Sequence, residues 1–533
     1  MQARFVPLGA AVAVLAGAPA MADGGLGPLV QVSEESPLGP LEACGNFPGQ
    51  IFGIGINFVD SEVEPWVEVN PTDRRNIVGF WQQDRWSNGG ARSNVAGVSL
   101  DGGKSFEIVV VPVLSDCSGG DFERATDPWL SFSPNGVLHQ ISLVFNNDPP
   151  EPDPLALGGR NGITTSRSFD GGLSWTDPIL IIEDDDPQLF NDKESITADP
   201  TDSDFVYAVW DRLETLTAVD FRGPGLFARS IDGGATWEEA REVFDPGVNN
   251  QIIGAQIAVL PNGRVLNFFN QIINFLPDGT LNPVPFTLAF QRSRDKGVTF
   301  APTERGVRVD DILALGVVTP DLLAPVRDAA ILFDVAVDPR RGWIYAVWQD
   351  SRLSSVFDEV AFAMSRDGGR SWSETIKVSQ TPVDPVNPLR QQAFIPSVAV
   401  ARDGTVGVSY YDFRNDVDRA PELADHFLVR CRSRCADEAN WGDEARLTDE
   451  SFDYLQAPTA GGLFLGDYVG LTASRRHLHA LFQQSFTDDP ASGFFRSART
   501  RPRGGVVFAD APRGGLEDAL PLREAWPRGG TSR

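Results

Sequence analysis

The sequence predicts an all-β protein, a seven-bladed β-propeller with six blades as the alternative. Three observations predict it: an octapeptide that recurs five times, a strand–turn–strand unit that recurs seven times, and no helical periodicity between the units. The octapeptide reads Ser99-Leu-Asp101-Gly-Gly103-Lys-Ser-Phe106 and returns as Ser168-Phe-Asp170-Gly-Gly172-Leu-Ser-Trp175. It returns again at residues 230–237, 293–300 and 365–372, with aspartates at Asp232, Asp295 and Asp367. Asp-Gly and Gly-Gly supply left-handed positions for a tight hairpin. The aspartate is placed to accept amides within the turn, and the terminal aromatic to pack on the sheet. These aspartates therefore read as fold residues.

The second unit is a pair of alternating strands around a turn. It runs from Trp66 to Trp81, from Trp129 into the strand holding His139, and from Ile196 to Trp210. It recurs from Ile257 onward, from Val335 to Trp348, from Ser397 to Tyr410 and from Tyr468 to Phe482. Asn, Asp, Gly or Pro stands at most of the joints. The last two units lack a clear octapeptide, and Cys431-Arg-Ser-Arg-Cys435 offers a cross-linked hairpin in its place.

Closure is legible too. The segment from Gly27 to Ser33 resembles the outer strand that follows an octapeptide and is expected to complete the blade holding Phe494 to Ser497, which hides two edges. Residues 1–22 read as a secretory leader, with Arg4, an apolar run from Val6 to Leu15 and a small-residue site at Ala20-Met21-Ala22. Residues 23–500 are then one propeller domain, and 501–533 a Pro-, Gly- and Arg-rich extension. The segment from Val307 to Arg327 reads as an insertion on one face. Cysteine usage fits a secreted or periplasmic location, with Cys44–Cys117 and Cys431–Cys435 the preferred pairs of three connectivities.

Acidic residues outnumber basic ones 73 to 45, for a formal charge of −28. Such a surface repels nucleic acid and anionic membranes. No transmembrane anchor is expected, and a monomer is. The charge fits either Ca²⁺ binding or plain solubility. No cofactor is required, and structural Ca²⁺ stands as an option.

Propeller topology puts the octapeptides on one face and the starts of the inner strands on the other. That second face collects Glu64, Asp127, Asp192, Glu194, Asp334 and Asp467. The ends of the second strands add an aromatic–acid–arginine theme: Trp81 with Asp84 and Arg85, Trp210 with Asp211 and Arg212, Trp348 with Asp350 and Arg352, and Tyr410-Tyr411-Asp412 with Arg414. These are either repeated salt bridges within blades or a ring of groups around a pocket. Crowded carboxylates raise one another's pKa or recruit a cation, with Asp192, Asp334 and Asp467 as the metal candidates.

The octapeptide is similar to the Asp box of bacterial neuraminidase repeats, and the chain resembles the sialidase/neuraminidase-repeat superfamily over roughly residues 60 to 500. That resemblance implies an exported sialidase-like glycosidase acting on an acidic glycan. It implies an arginine clamp for a carboxylate, for which Arg85, Arg212, Arg352 and Arg414 are the candidates. It implies a tyrosine nucleophile, Tyr410 or Tyr411, beside a glutamate, Glu194, and an acid/base aspartate, Asp84 or Asp127. Trp81, Trp210 and Trp348 would face the sugar. The chain departs from the family in lacking a Phe-Arg-Ile-Pro segment and in having seven units where sialidases have six blades. Other readings stay open: a glycosidase using Asp127 and Asp334, a polysaccharide lyase, and a non-catalytic propeller that binds carbohydrate or protein. Of the four histidines, His139, His426, His477 and His479, the first and the last two sit inside strand patterns and read mainly as packing residues.

Overall fold

Each octapeptide closes a hairpin through the same small network. The Ser230 hydroxyl donates to Asp232 Oδ1 and accepts from the Gly234 amide, both at 2.8 Å. Asp232 accepts the Thr236 amide at 2.9 Å and the Thr236 hydroxyl at 2.6 Å. Gly233 and Gly234 lie at φ 68° and 78°, where any side chain is strained. Asp101, Asp170, Asp295 and Asp367 hold their turns in the same way.

The computed structural model describes residues 25–33, 35–44, 55–148, 153–276, 278–354, 357–417, 421–487 and 489–501. The expected leader, residues 1–22, and the C-terminal extension beyond residue 501 lie outside them. The fold is all-β, with four- and five-stranded antiparallel sheets in a propeller-like arrangement. The first sheet comprises Asn57–Val69, Ile77–Trp86, Ala91–Ser99 and Glu107–Val110, and the second Arg124–Phe132, Leu138–Phe145, Asn161–Ser168 and Ile179–Asp184. The third is built on Leu189–Ala198, Val206–Thr215, Gly225–Ser230 and Arg241–Phe244. The fourth holds Asn250–Val259, Val265–Ile273, Phe286–Ser293 and Val307–Asp311. The fifth holds Phe333–Val337, Ile344–Asp350, Glu359–Ser365 and Ile376–Lys377, and the sixth Ala393–Val400, Val406–Asp412, Leu423–Cys431 and Trp441–Arg446. In the last sheet Gly470–Ala473, His477–Phe486 and Asp489–Arg499 are joined by the N-terminal strand Leu26–Gln31. Leu29 pairs with Arg496 and Val30 with Phe495, antiparallel. Single pairings, Ala91 with Ala125 and Ser61 with Ala491, link the first, second and last units into one twelve-stranded ladder.

The Asp boxes also fasten one sheet to the next. Asn76 donates to the Gly171 carbonyl at 2.9 Å, Arg167 to Gly233 at 3.3 Å, Arg229 to Lys296 at 2.7 Å and Arg292 to Gly369 at 2.7 Å. Each donor belongs to the sheet before the box it holds. The box of the first sheet reaches the last one, because a Cβ on Gly103 would meet the Phe495 ring at 2.1 Å. That contact excludes any larger residue at position 103.

Two disulfides, Cys44–Cys117 and Cys431–Cys435, complete the covalent framework. The second closes the hairpin of the sixth sheet, which has no box. The stretch from Val307, expected as an insertion, opens as the outer strand of the fourth sheet, and its remainder carries Arg327 inward to Asp467. Among the described residues no helix is long and apolar enough to cross a membrane.

The box carboxyls tie stability to pH. Hydrogen bonds from the Thr299 hydroxyl and amide draw Asp295 down to about 2. At Asp101, Asp232 and Asp367 slight burial works against the same kinds of bond, and those carboxyls still fall to about 2. A depressed folded-state pKa gives stability that is complete above the unfolded value, about 4, and lost as pH falls toward 2. Melting temperature should therefore fall most steeply between about pH 4 and 2, and Asp295→Asn should lower it at neutral pH while flattening part of that acid limb. An acid limb unchanged in the variant would contradict this account.

Candidate functional site

Five inner strands turn through a residue in left-handed conformation: Glu64 at φ 52°, Asp127 at 46°, Lys193 at 48°, Gly254 at 68° and Ile395 at 50°. The strand register breaks at each of these points. Such bulges re-aim a side chain, and a non-glycine residue held there costs on the order of 1–3 kcal/mol. Three of the five carry a charge, and those three meet.

Lys193 Nζ donates to Asp127 Oδ1 at 2.7 Å, Asp467 Oδ2 at 2.7 Å and Glu64 Oε1 at 3.1 Å. The carboxylates come from the second, last and first sheets, and the lysine from the third. Arg327 holds the other side of Asp467, with Nε and Nη2 at 2.9 and 2.6 Å. Arg85 and Arg327 lie over the same Phe464 ring, at 4.9 and 4.5 Å. Trp66 stacks on Trp129 with centroids 3.4 Å apart, and Tyr468 packs edge-on against both.

The charges are strongly perturbed. Burial pushes Asp467 up, but Lys193 and Arg327 outweigh it and hold the carboxyl far below its usual range. Burial raises Glu64 to about 8 despite the lysine, and raises Asp192 to about 6 with help from Asp127. Glu194 is pushed well up by burial and then by Asp127. No other residue donates to either Glu194 oxygen.

Two spaces adjoin the cluster. An open mouth of about 260 Å³ is lined by Glu64, Arg85, Asp127, Asp192, Lys193 and Arg327 among others, and by no Asp-box residue. A narrower cavity of about 40 Å³, lined by Glu194, Asp334, Trp66 and Trp129 among others, shares Asp127 and Lys193 with it. The opposite mouth is lined by Glu68, Val69, Phe132, Val259 and Val337 among others, at the ends of the inner strands. No Asp-box residue lines any of these three spaces.

The sequence-predicted residues separate into two groups. Asp127, Asp192, Glu194, Asp334 and Asp467 all line the mouth or the cavity. They do not form one metal sphere, since Asp467 holds Lys193 and Arg327 while Asp334 accepts the Ser397 hydroxyl and the Val398 amide, both at 2.8 Å. Among the described residues, the one trio of ligand-type atoms close enough for a metal is Cys44, Asp116 and Cys117, whose two cysteines are joined as a disulfide.

The arginine clamp does not assemble. Arg212 donates to Glu214 at 2.7 Å, Arg352 to Asp350 at 2.9 Å, and Arg414 to Asp412 and Glu444, each at 2.6 Å, all within their own sheets. Only Arg85 of the four reaches the mouth. The tyrosine–glutamate pair does not form with Glu194 either. Tyr410 donates to Glu444, and burial and that carboxylate push its pKa up, away from an activated phenolate. Tyr411 exchanges hydrogen bonds with the backbone of Gln483. Asp84 is fully buried against Arg92 at 2.8 Å, away from both spaces. Trp81, Trp210 and Trp348 are at most 1% exposed and bond Gln83, Asn191 and Asp350, so none offers a face to a sugar.

Lys193, Arg327 and Tyr468 were missed by the sequence reading. Lys193 had a usable signal, a lone lysine between Asp192 and Glu194 at the start of an inner strand. Arg327 had none, because it arrives from a segment outside the repeat.

No protein-family model matches the chain, and no curated protein does. Solved structures of similar outline include a protein of unknown function from Dyadobacter fermentans, at 15% identity over 84% of this chain and 98% of that one, with TM-score 0.43. A Hadza microbial sialidase aligns at 17% identity over 79% of this chain and 76% of its own, with TM-score 0.44. A polysaccharide lyase aligns at 11% identity over 90% of this chain and 100% of its own, with TM-score 0.47. Likenesses this distant carry no residue role across to this chain.

Removing the ammonium should expose the cost of the cluster. Lys193→Met takes the shared ammonium from Glu64, Asp127 and Asp467, leaving Arg327 on Asp467 alone, and should lower stability by about 3–5 kcal/mol at pH 7. Urea unfolding at pH 7 measures it, and a variant as stable as the parent would refute the cluster's structural role.

Proposed function

We propose that this chain is an exported seven-bladed propeller that binds the end of a carbohydrate chain at its charged mouth without cleaving it. The blade count is supported by the inner strands, each of which neighbours the next in chain order, with Gly470–Ala473 of the last sheet returning to Asn57–Val69 of the first. The observation that carries the binding reading is the separation of site from nucleophile. The open mouth presents Arg85, Lys193 and Arg327 pre-organised by carboxylates and aromatic rings, while both tyrosines are fully buried elsewhere. At about 260 Å³ the space suits one sugar ring, at the small end of ligand sites. Its fixed guanidinium and carboxylate groups match ring hydroxyls, and the resemblance of the Asp-box repeat to carbohydrate-active propellers supports the ligand class.

One observation favours a second, catalytic reading. Glu64 and Asp127 share the mouth, and burial lifts Glu64 to about 8. A carboxyl kept protonated in this way can act as the general acid in glycan-cleaving enzymes.

Calorimetric titration with a panel of neutral and acidic oligosaccharides separates the readings. Saturable binding that weakens at least tenfold in Arg327→Ala, is unchanged in Tyr410→Phe and comes without new reducing ends or unsaturated products supports the binding propeller. Turnover abolished by Glu64→Gln would replace it with the catalytic reading. Binding untouched by Arg327→Ala would move the site elsewhere.

A further inference from the structure

We infer that the hairpins of the fourth and fifth sheets carry a binding surface for an acidic polysaccharide, built from Arg264, Arg292, Arg294, Arg366 and Arg370. This does not depend on what the mouth binds. The chain has a formal charge of −28, yet among the described residues none of these five guanidiniums is paired with a carboxylate. Arg294, Arg366 and Arg370 are exposed, and Arg264 and Arg292 half-buried.

The turns that carry them touch one another. Arg292 donates to the Gly369 carbonyl at 2.7 Å. A Cβ on Gly368 would meet Leu260 at 3.2 Å, and one on Gly342 would meet Pro261 at 3.1 Å. Burial lowers the pKa of Arg292, and Arg370, Arg294 and Arg264 lower it further, as like charges at close range do. Arg341 and Arg366 both lie over the Trp343 ring at 4.9 Å, which steadies Arg366 without neutralising it. The acids nearby are engaged elsewhere. Asp295 and Asp367 hold the amides and hydroxyls of their own turns, Asp338 pairs with Arg341, and Asp199 with Lys296.

The scaffold does not ask for these arginines. Between the serine and the aspartate of the octapeptide stand Leu100, Phe169 and Ile231 in the first three copies, and Arg294 and Arg366 in the last two. All five turns close through the same bonds. A position that folds equally well with an aliphatic or aromatic side chain carries arginine for another reason. Crowded, unpaired guanidiniums repel one another, and a bound anion removes that cost.

The chemistry of the partner follows from the fork and the field. Guanidinium forks grip planar or tetrahedral oxyanions through paired N–H groups. Charges more than about 8 Å away are largely screened at physiological salt, so the attraction is confined to the patch. A nucleic-acid duplex carries a charge every ~1.7 Å and would press dense charge against the acidic remainder of the protein. An acidic polysaccharide spaces its carboxylates or sulfates by whole sugar rings and meets the patch with a few at a time.

Fluorescence anisotropy of labelled heparin and polygalacturonate oligosaccharides with the full-length protein tests the surface. At least one should bind at low salt and weaken as salt rises. Arg294→Leu with Arg366→Ile, which installs residue types found in the other copies, should weaken binding about tenfold or more while leaving the melting temperature unchanged. Arg370→Ala should weaken it independently. Failure of both glycans to bind, undiminished binding by the double variant, or equal binding of neutral dextran would overturn the proposal. A DNA oligonucleotide bound more tightly than either glycan, and lost in the same variants, would overturn the choice of partner.

Discussion

The Lys193 ammonium sits where sheets from distant parts of the chain converge, and the surrounding structure follows from how its charge is met. It bonds carboxylates from the first, second and last sheets while itself belonging to the third. An ammonium and three carboxyl groups leave water together, which is costly unless nearly every lone pair and proton finds a partner. The left-handed turns at Glu64, Asp127 and Lys193 meet that requirement by pointing three side chains at one place. The ion pairing that the strained turns complete offsets both the strain and part of the cost of burying charge.

Away from this cluster the constraint is different. The Asp boxes need no charge pairing, because their carboxylates are held by hydroxyls and amides within each turn. What they contribute between sheets is shape and a carbonyl. The second glycine allows close approach to the neighbouring sheet, and the exposed backbone accepts from Asn76, Arg167, Arg229 or Arg292. Repetition is therefore a property of the scaffold, while the centre is built from residues that differ from sheet to sheet.

The same distinction explains the arginine theme. A motif repeated at equivalent positions meets equivalent neighbours, so Arg212, Arg352 and Arg414 each find a carboxylate in their own sheet. Arg85 escapes this because Asp84, its neighbour in sequence, is taken by Arg92. Its guanidinium turns to Gln82 and the Phe464 ring, which brings it to the mouth.

Strand alternation, the glycine-rich hairpins and the completion of the last sheet by the N-terminal strand were determined by local sequence, because each depends on a period of two or on a turn that few residues permit. The face that gathers the inner carboxylates was legible for the same reason, through Asp127, Asp192, Glu194 and Asp467. Which of those groups are neutralised, and by what, was not. Lys193 acts through partners far away in the chain, Arg327 arrives from a segment outside the repeat, and the burial of Tyr410 and Tyr411 depends on how neighbouring sheets pack. Those outcomes were decided by tertiary structure, since ion pairing and desolvation depend on distances in space that no spacing along the chain encodes.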